Sequence, residues 1–297
     1  MPRPSSDVPD PRRVELVERV VANVLSRITQ GTFVLPSMPA AAFDCLELLR
    51  QPDFSVTDAT SVIEDDVALA ARVLAVTNSA AFGGRAKVRS IGKAVARLGA
   101  ANLRLVLFEA MAIPIYDSKD PRIRQACLAI WHHSRAVADC ARRLAVVTNA
   151  GDPGEAYLAG LLHDIGKPII ASLLVGAEHR IIGRQTGFWL EAETWLDVVQ
   201  GAHRAAGVAL AREWKLPEAV LATAANCSTY EDGAPRSVSN CVRLANAIAK
   251  KAGVYVGRSD PAEVADLVLA GQVLLALDDT QLDRVRTAMQ AATAPPE

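Results

Sequence analysis

An all-α fold is what this 297-residue sequence predicts, and three observations carry the prediction. Apolar residues recur at helical spacing over most of the chain, and Ser, Asp and Pro start signals stand in front of those stretches. No segment alternates apolar and polar residues for the length of a useful strand. With 51% hydrophobic and 22% charged residues, the chain can bury a large core, as one large domain or two smaller ones.

The elements follow in order. Residues 1 to about 12 carry four prolines and read as a flexible lead-in. Leu16, Val17, Val20, Val21, Val24, Leu25 and Ile28 then share one helical face over Val14–Ile28, stopped by Gly31. Pro36 and Pro39 force an extended segment before a helix through Phe43, Leu46 and Leu49 that ends before Pro52. Ser55 with Asp58 has the spacing of a capping box for a helix through Ile63, and Asp66 starts the next, with Leu69, Val73, Leu74 and Val76 on one face. After a Gly83-Gly84 loop, Ser90 caps a helix through Val95 and Leu98. Gly99 interrupts it, and the pattern resumes through Leu103 and Val106. A long helix is predicted over Arg122–Val147, and another from Asp152-Pro153-Gly154-Glu155 through His163. Later helices are expected at Glu193–Glu213, Pro217–Cys227, Ser237–Lys251, Pro261–Leu275 and Thr280 to about Ala291.

Composition excludes several classes. Glycine and proline, 18 and 16 residues, are near their usual share, so the chain is neither fibrous nor disordered. The net charge of −1 argues against a global polyanion-binding surface. No run of about 18 uncharged apolar residues occurs, so no membrane span is expected. The basic N-terminus lacks the apolar run of a signal peptide. Five scattered cysteines, never paired as C-x-x-C, read as small core thiols in a reducing, cytoplasmic setting.

The five histidines can each be placed by phase. His133 stacks with Val137, Ala141 and Leu144 and points inward, whereas His132 follows Ala136, Asp139 and Arg143 outward. His163-Asp164 sits among apolar residues in Leu161–Lys167, where Gly166 allows a break. An imidazole beside a carboxylate is a ligand pair suited to Zn, Mn, Fe or Mg, and His133 is the natural third ligand. His203 reads as a satisfied core histidine, and His179, in a polar stretch, as a surface one.

Leu35-Pro36-Ser37-Met38-Pro39, Asp66 to Leu74, Asn78 to Gly83 and Ser90 to Gly99 occur in order, followed by Trp131-His132-His133-Ser134, Leu161 to Lys167, His203 with Gly207, and Trp214-Lys215-Leu216-Pro217. In this order they resemble the bacterial HDOD domain, over roughly Gly31 to Tyr230. The resemblance implies an HD-like helical bundle, related to metal-dependent HD phosphohydrolases that include a cyclic-di-GMP-hydrolysing branch. It divides the chain into a lead-in and helix (1–30), the HDOD-like domain (31–230) and a helical extension packed on the core (231–297).

In HD enzymes a metal is held by a first His, the His-Asp pair and a later Asp. His133, His163 and Asp164 match the first three. Asn246 stands where the resemblance puts the last, and a neutral amide is the weaker ligand. The binuclear branch also needs a His-His pair where this chain has Asn226-Cys227, and its Gly-Tyr-Pro motif is absent. The expectation is therefore a degenerate site with no cofactor, the three side chains hydrogen-bonding one another in the core. The alternative is one divalent metal and phosphohydrolase activity on a nucleotide or phosphoester.

Seven basic residues and no acid lie between Val67 and Phe108, leaving −8 on the rest of the chain. Arg85, Lys87, Arg89, Lys93 and Arg97 form a candidate patch for an acidic partner or a nucleotide phosphate. Without interleaved aromatics it offers no platform for single-stranded nucleic acid. The expected function is a free-standing, non-catalytic signalling module of bacterial origin, working by protein or nucleotide binding, with no membrane and no sequence-specific nucleic acid among its partners.

Overall fold

The computed structural model describes residues 11–182 and 191–293, apart from 52, 80, 81, 83, 85 and 232, with the side chains of 179–182 and 291–293 left aside. Among these residues there are helices and no strand. They are α1 (Pro11–Thr29), α2 (Ala40–Leu48), α3 (Val56–Glu64), α4 (Val67–Thr77), α5 (Ile91–Tyr116), α6 (Pro121–Thr148) and α7 (Pro153–Leu162). There follow α8 (Gly166–Ile182), α9 (Ala192–Glu213), α10 (Glu218–Ala225), α11 (Val238–Lys251), α12 (Pro261–Leu274) and α13 (Asp279–Thr293).

The start signals work as read. Ser55 Oγ accepts from the Asp58 N–H, and Asp66 Oδ1 from the Ala68 and Leu69 N–H groups at 2.9 and 3.0 Å. Asp120, Asp152, Ser237 and Asp260 cap α6, α7, α11 and α12 in the same way. Ser90 stands at the N-cap of α5 without a capping hydrogen bond. Gly99, at φ 65°, breaks α5 where expected, because only glycine enters that region freely.

Two readings need correction. The lead-in ends sooner than expected: Pro11 and Arg12 already belong to α1, Pro11 taking a first-turn position where its missing N–H costs nothing. The rest of the lead-in lies outside the described residues, as do Gly83 and Arg85. His163 does not continue its helix but is the C-cap of α7, and Gly166 opens a new helix, α8, that periodicity did not predict. Two stretches, Ile91–Tyr116 and Pro153–Glu178, have the length and hydropathy of a membrane span. The second is 89% buried in the bundle and contains buried Asp164 and Lys167, as a core segment does.

The long α6 is the axis. α7 packs along it on one side, α11 and α13 on others, while α8 pairs with α9 and α1 lies on α9. The front helices α2–α4 gather on α5. Trp214 Nε1 donates to the Pro36 carbonyl at 3.2 Å, joining the two motifs that lie 178 residues apart. Segment 231–297 thus returns through α11 to the centre of the bundle, against α6 and α7.

Candidate functional site

The turn between α7 and α8 is where chemistry collects. His163 and Asp164 sit in it, Lys167 lies in the first turn of α8, and His133 faces them from α6. All four are buried, at 1 to 6% exposure. Gly166 makes the arrangement possible: a Cβ there would lie 1.8 Å from the His203 carbonyl oxygen, so α8 and α9 meet backbone to backbone. His203 is thereby carried beside Asp164.

Each histidine has its ring fixed by a main-chain carbonyl. His133 Nδ1 donates to Val254 O at 2.6 Å, His163 Nδ1 to Gly160 O at 2.7 Å, and His203 Nδ1 to Gln200 O at 2.9 Å. A carbonyl only accepts, so each Nε2 is left with its lone pair. Those lone pairs point toward one carboxylate. His163 Nε2 is 3.4 Å and His133 Nε2 3.8 Å from Asp164 Oδ2, and His203 Nε2 is 3.9 Å from Oδ1. The mutual hydrogen bonds expected among His133, His163 and Asp164 are therefore absent. The Nε2 atoms of His133 and His163 are buried with no partner, because both are acceptors facing an acceptor.

Asp164 is paired with Lys167, Nζ to Oδ2 at 2.6 Å. Burial alone would raise the aspartate, but the Lys167 ammonium holds it well below the usual carboxylate range. Burial lowers all three histidines, His133 to about 3 and His203 to about 4, so they are neutral near pH 7.

A narrow polar pocket of about 30 Å³, room for about two waters, opens from this cluster between α8, α9, α10 and α11. Asn246 lines it, as the resemblance requires. Its Nδ2 donates to the Cys227 carbonyl at 3.2 Å, and its Oδ1 is buried without a partner. Cys227 lines it too, its thiol pushed up by burial to about 12 and so uncharged. Arg243 holds this wall in place, donating to Asn226 O, Asn240 Oδ1 and Glu231 Oε1.

Sequence reasoning passed over Lys250, Tyr255 and Arg204, which also line the pocket. Lys250 was within reach, since it follows Asn246 by one helical turn. Tyr255 had no signal: it sits in the strap 252–260 between α11 and α12, with Lys167 and Lys250 Nζ each 4.8 Å from its ring centre and His133 edge-on at 5.3 Å. His203, read as a core histidine, is buried but belongs to this site. His132 is exposed as expected, and the His179 side chain lies outside the described residues. Lys87, Arg89, Lys93 and Arg97 are elsewhere, exposed along the entry of α5, with no ion pair among the described residues.

Comparison with known proteins bears on this geometry. The HDOD domain signature matches residues 35–230. A protein of undescribed function from Treponema pallidum (strain Nichols) is 28% identical over 224 residues, 72% of this chain; the chain spans 41% of that relative's length. Among solved structures, a proposed metal-dependent phosphohydrolase from Shewanella amazonensis SB2B superposes with a TM-score of 0.70 at 19% identity, covering 94% of this chain and all of that one. An HDOD domain protein of unknown function from Geobacter sulfurreducens superposes at 0.60 and 22% identity, covering 93% and 99%. At such identities these neighbours speak for the fold. With two thirds of its length matched by that signature, this chain belongs to the HDOD domain family.

Proposed function

We propose that this protein is a non-catalytic signalling module whose pocket takes the phosphate group of a small molecule, such as a nucleotide, and passes the bound state to an acidic protein partner. The observation that carries the reading is the charge of the pocket. Lys167, Arg204 and Lys250 face one carboxylate, Asp164, among neutral histidines, a neutral thiol and Asn246. A cationic, partly dry pocket favours an anion. The same Asn246 weakens the case for turnover, because hydrolysis at phosphorus needs metal charge to activate water and neutralise oxygens. For the outgoing signal, the exposed Lys87, Arg89, Lys93 and Arg97 supply a face that suits an acidic surface.

One observation favours a second reading. The two unpartnered Nε2 atoms and Asp164 offer ligand atoms that all lie within 4.8 Å of one another, a donor set that fits a divalent metal. His133, His163 and Asp164 would hold it, and it would supply Lewis acidity and a water of lowered pKa. On this reading Lys250 and Arg204 orient the phosphate, and Tyr255 limits water at the mouth.

The two are separated on protein prepared without chelators or a His tag. Elemental analysis is expected to find well under one metal per chain, with no cleavage of a chromogenic phosphodiester in added Mn or Mg. Thermal unfolding is expected to rise with inorganic phosphate, cyclic-di-GMP or GTP, and a ligand at a hundred times its Kd stabilises by about 2.7 kcal/mol. Lys250→Ala should abolish the rise. Stoichiometric metal lost in His163→Ala together with turnover would overturn the proposal in favour of the phosphohydrolase.

A further inference from the structure

A second cavity lies beside the polar pocket and has a different character. It measures about 430 Å³, within the range of small-molecule sites. Close-packed interiors leave few voids larger than a water, and an apolar cavity of about 150 Å³ already takes up benzene. Its walls come from four places: Ile123 and Ile130 of α6, Ala171 of α8, Leu196 and Val199 of α9, and Val256 of the strap.

These walls are aliphatic. Trp195 adds an indole, but its Nε1 already donates to Glu178 Oε1 at 2.9 Å. Arg122 is engaged by Asp120 at 2.8 Å and Glu178 at 3.1 Å. Two charged groups also line the wall, but Lys167 is held by Asp164 at 2.6 Å and Asp197 by Arg13 and Arg258, which leaves Gln200 as the one neutral amide among the described residues, too little to read the edges of a base. An apolar tail asks for no such partners.

The mouth carries a cation. Arg258 lines the cavity with its side chain 65% exposed. Its contacts to Asp197 and Glu193, 3.4 and 3.8 Å, are long, and Arg13 from α1 holds the same two acids more closely. A guanidinium has five donors, so Arg258 keeps N–H groups for a carboxylate at the entrance.

We propose that this cavity is a ligand site for a single-chain aliphatic acid, its tail between α6, α8, α9 and the strap and its carboxylate on Arg258. The cavity shares Lys167 and Gln200 with the polar pocket but not Lys250, so Lys250→Ala, which should abolish the phosphate response and leave dodecanoate binding unchanged, keeps the two readings distinguishable.

The test is calorimetric titration of the full chain with dodecanoate, below its micelle concentration, and with dodecyltrimethylammonium, which has the same tail and the opposite head. Dodecanoate is expected to bind one to one, at least tenfold tighter than the cation. Ala171→Phe, which fills the cavity, should weaken dodecanoate by at least tenfold, and Val256→Phe fills it from the strap if the first variant does not fold. Arg258→Gln should cost about tenfold for dodecanoate and nothing for the cation. Absence of one-to-one binding, equal affinity for both heads, or undiminished binding by a folded cavity-filling variant would each overturn the proposal.

Discussion

Glu109 shows how much one buried residue can hold back. It is fully buried in α5, accepts the Tyr157 hydroxyl at 2.6 Å and lies 3.5 Å from Arg135. Burial raises its pKa, only partly offset by Arg135 and Tyr157. A carboxyl whose folded pKa is raised binds its proton more tightly in the native state, so stability falls as pH climbs from the ordinary 4.5 through the raised value. Glu109→Gln keeps an acceptor for Tyr157 and removes the charge. It is therefore expected to raise Tm at pH 7, by an amount that shrinks toward pH 4.5. A Tm difference that does not vary with pH would show that Glu109 is already neutral or well compensated. The candidate site has the same mixture of legible and hidden residues. Helical phase alone turned His133 inward and His132 outward. That His133 and His163 lack partners on Nε2 was not legible, because it depends on carbonyls at Val254 and Gly160 that only the fold brings up.

At the level of elements, the contact between α8 and α9 is the tightest point around the site. Gly166→Ala would drive a Cβ into the His203 carbonyl, where neither backbone can yield without separating the helices. We expect a loss of more than about 3 kcal/mol in urea denaturation, the range of severe packing mutations. Stability within about 1 kcal/mol of wild type would mean that the two helices slide apart easily, and that His203 is not held at Asp164 by this contact. The caps of α3, α4 and α7 and the break at Gly99 were all readable, since each rests on one or two local residues. Helix α8 was not. Its buried residues include Ile169, Ile170, Ala171, Leu174 and Val175, which surround the axis and leave no polar face to set a period. Gly166 and Pro168 also look like a loop, although a proline in the first turn suits a helix.

On the scale of the whole molecule, charge is unevenly spread: +7 between Val67 and Phe108 against −8 elsewhere. Among the described residues, Lys87, Arg89, Lys93 and Arg97 face solvent without ion pairs, so the field of this face is not cancelled nearby. Despite the net charge of −1, the protein is expected to be retained on a cation exchanger at pH 7.5 and low salt. The Lys93→Glu/Arg97→Glu variant should elute at distinctly lower salt with unchanged Tm. Elution of both at the same salt would show that no concentrated positive face exists.

The class of fold, most helix boundaries, the family motifs and the triad His133, His163 and Asp164 were present in the order of residues, because periodicity, caps and short motifs are local. The pocket itself was not. Asn246, Lys250 and Tyr255 lie about 80 to 90 residues after Asp164 and meet it only because α11 returns against α6 and α7 and the strap folds over His133. The cationic balance of that pocket, and the aliphatic cavity beside it, are sums over side chains from four or more elements. Such sums follow from packing at long range, which one helix's sequence does not encode.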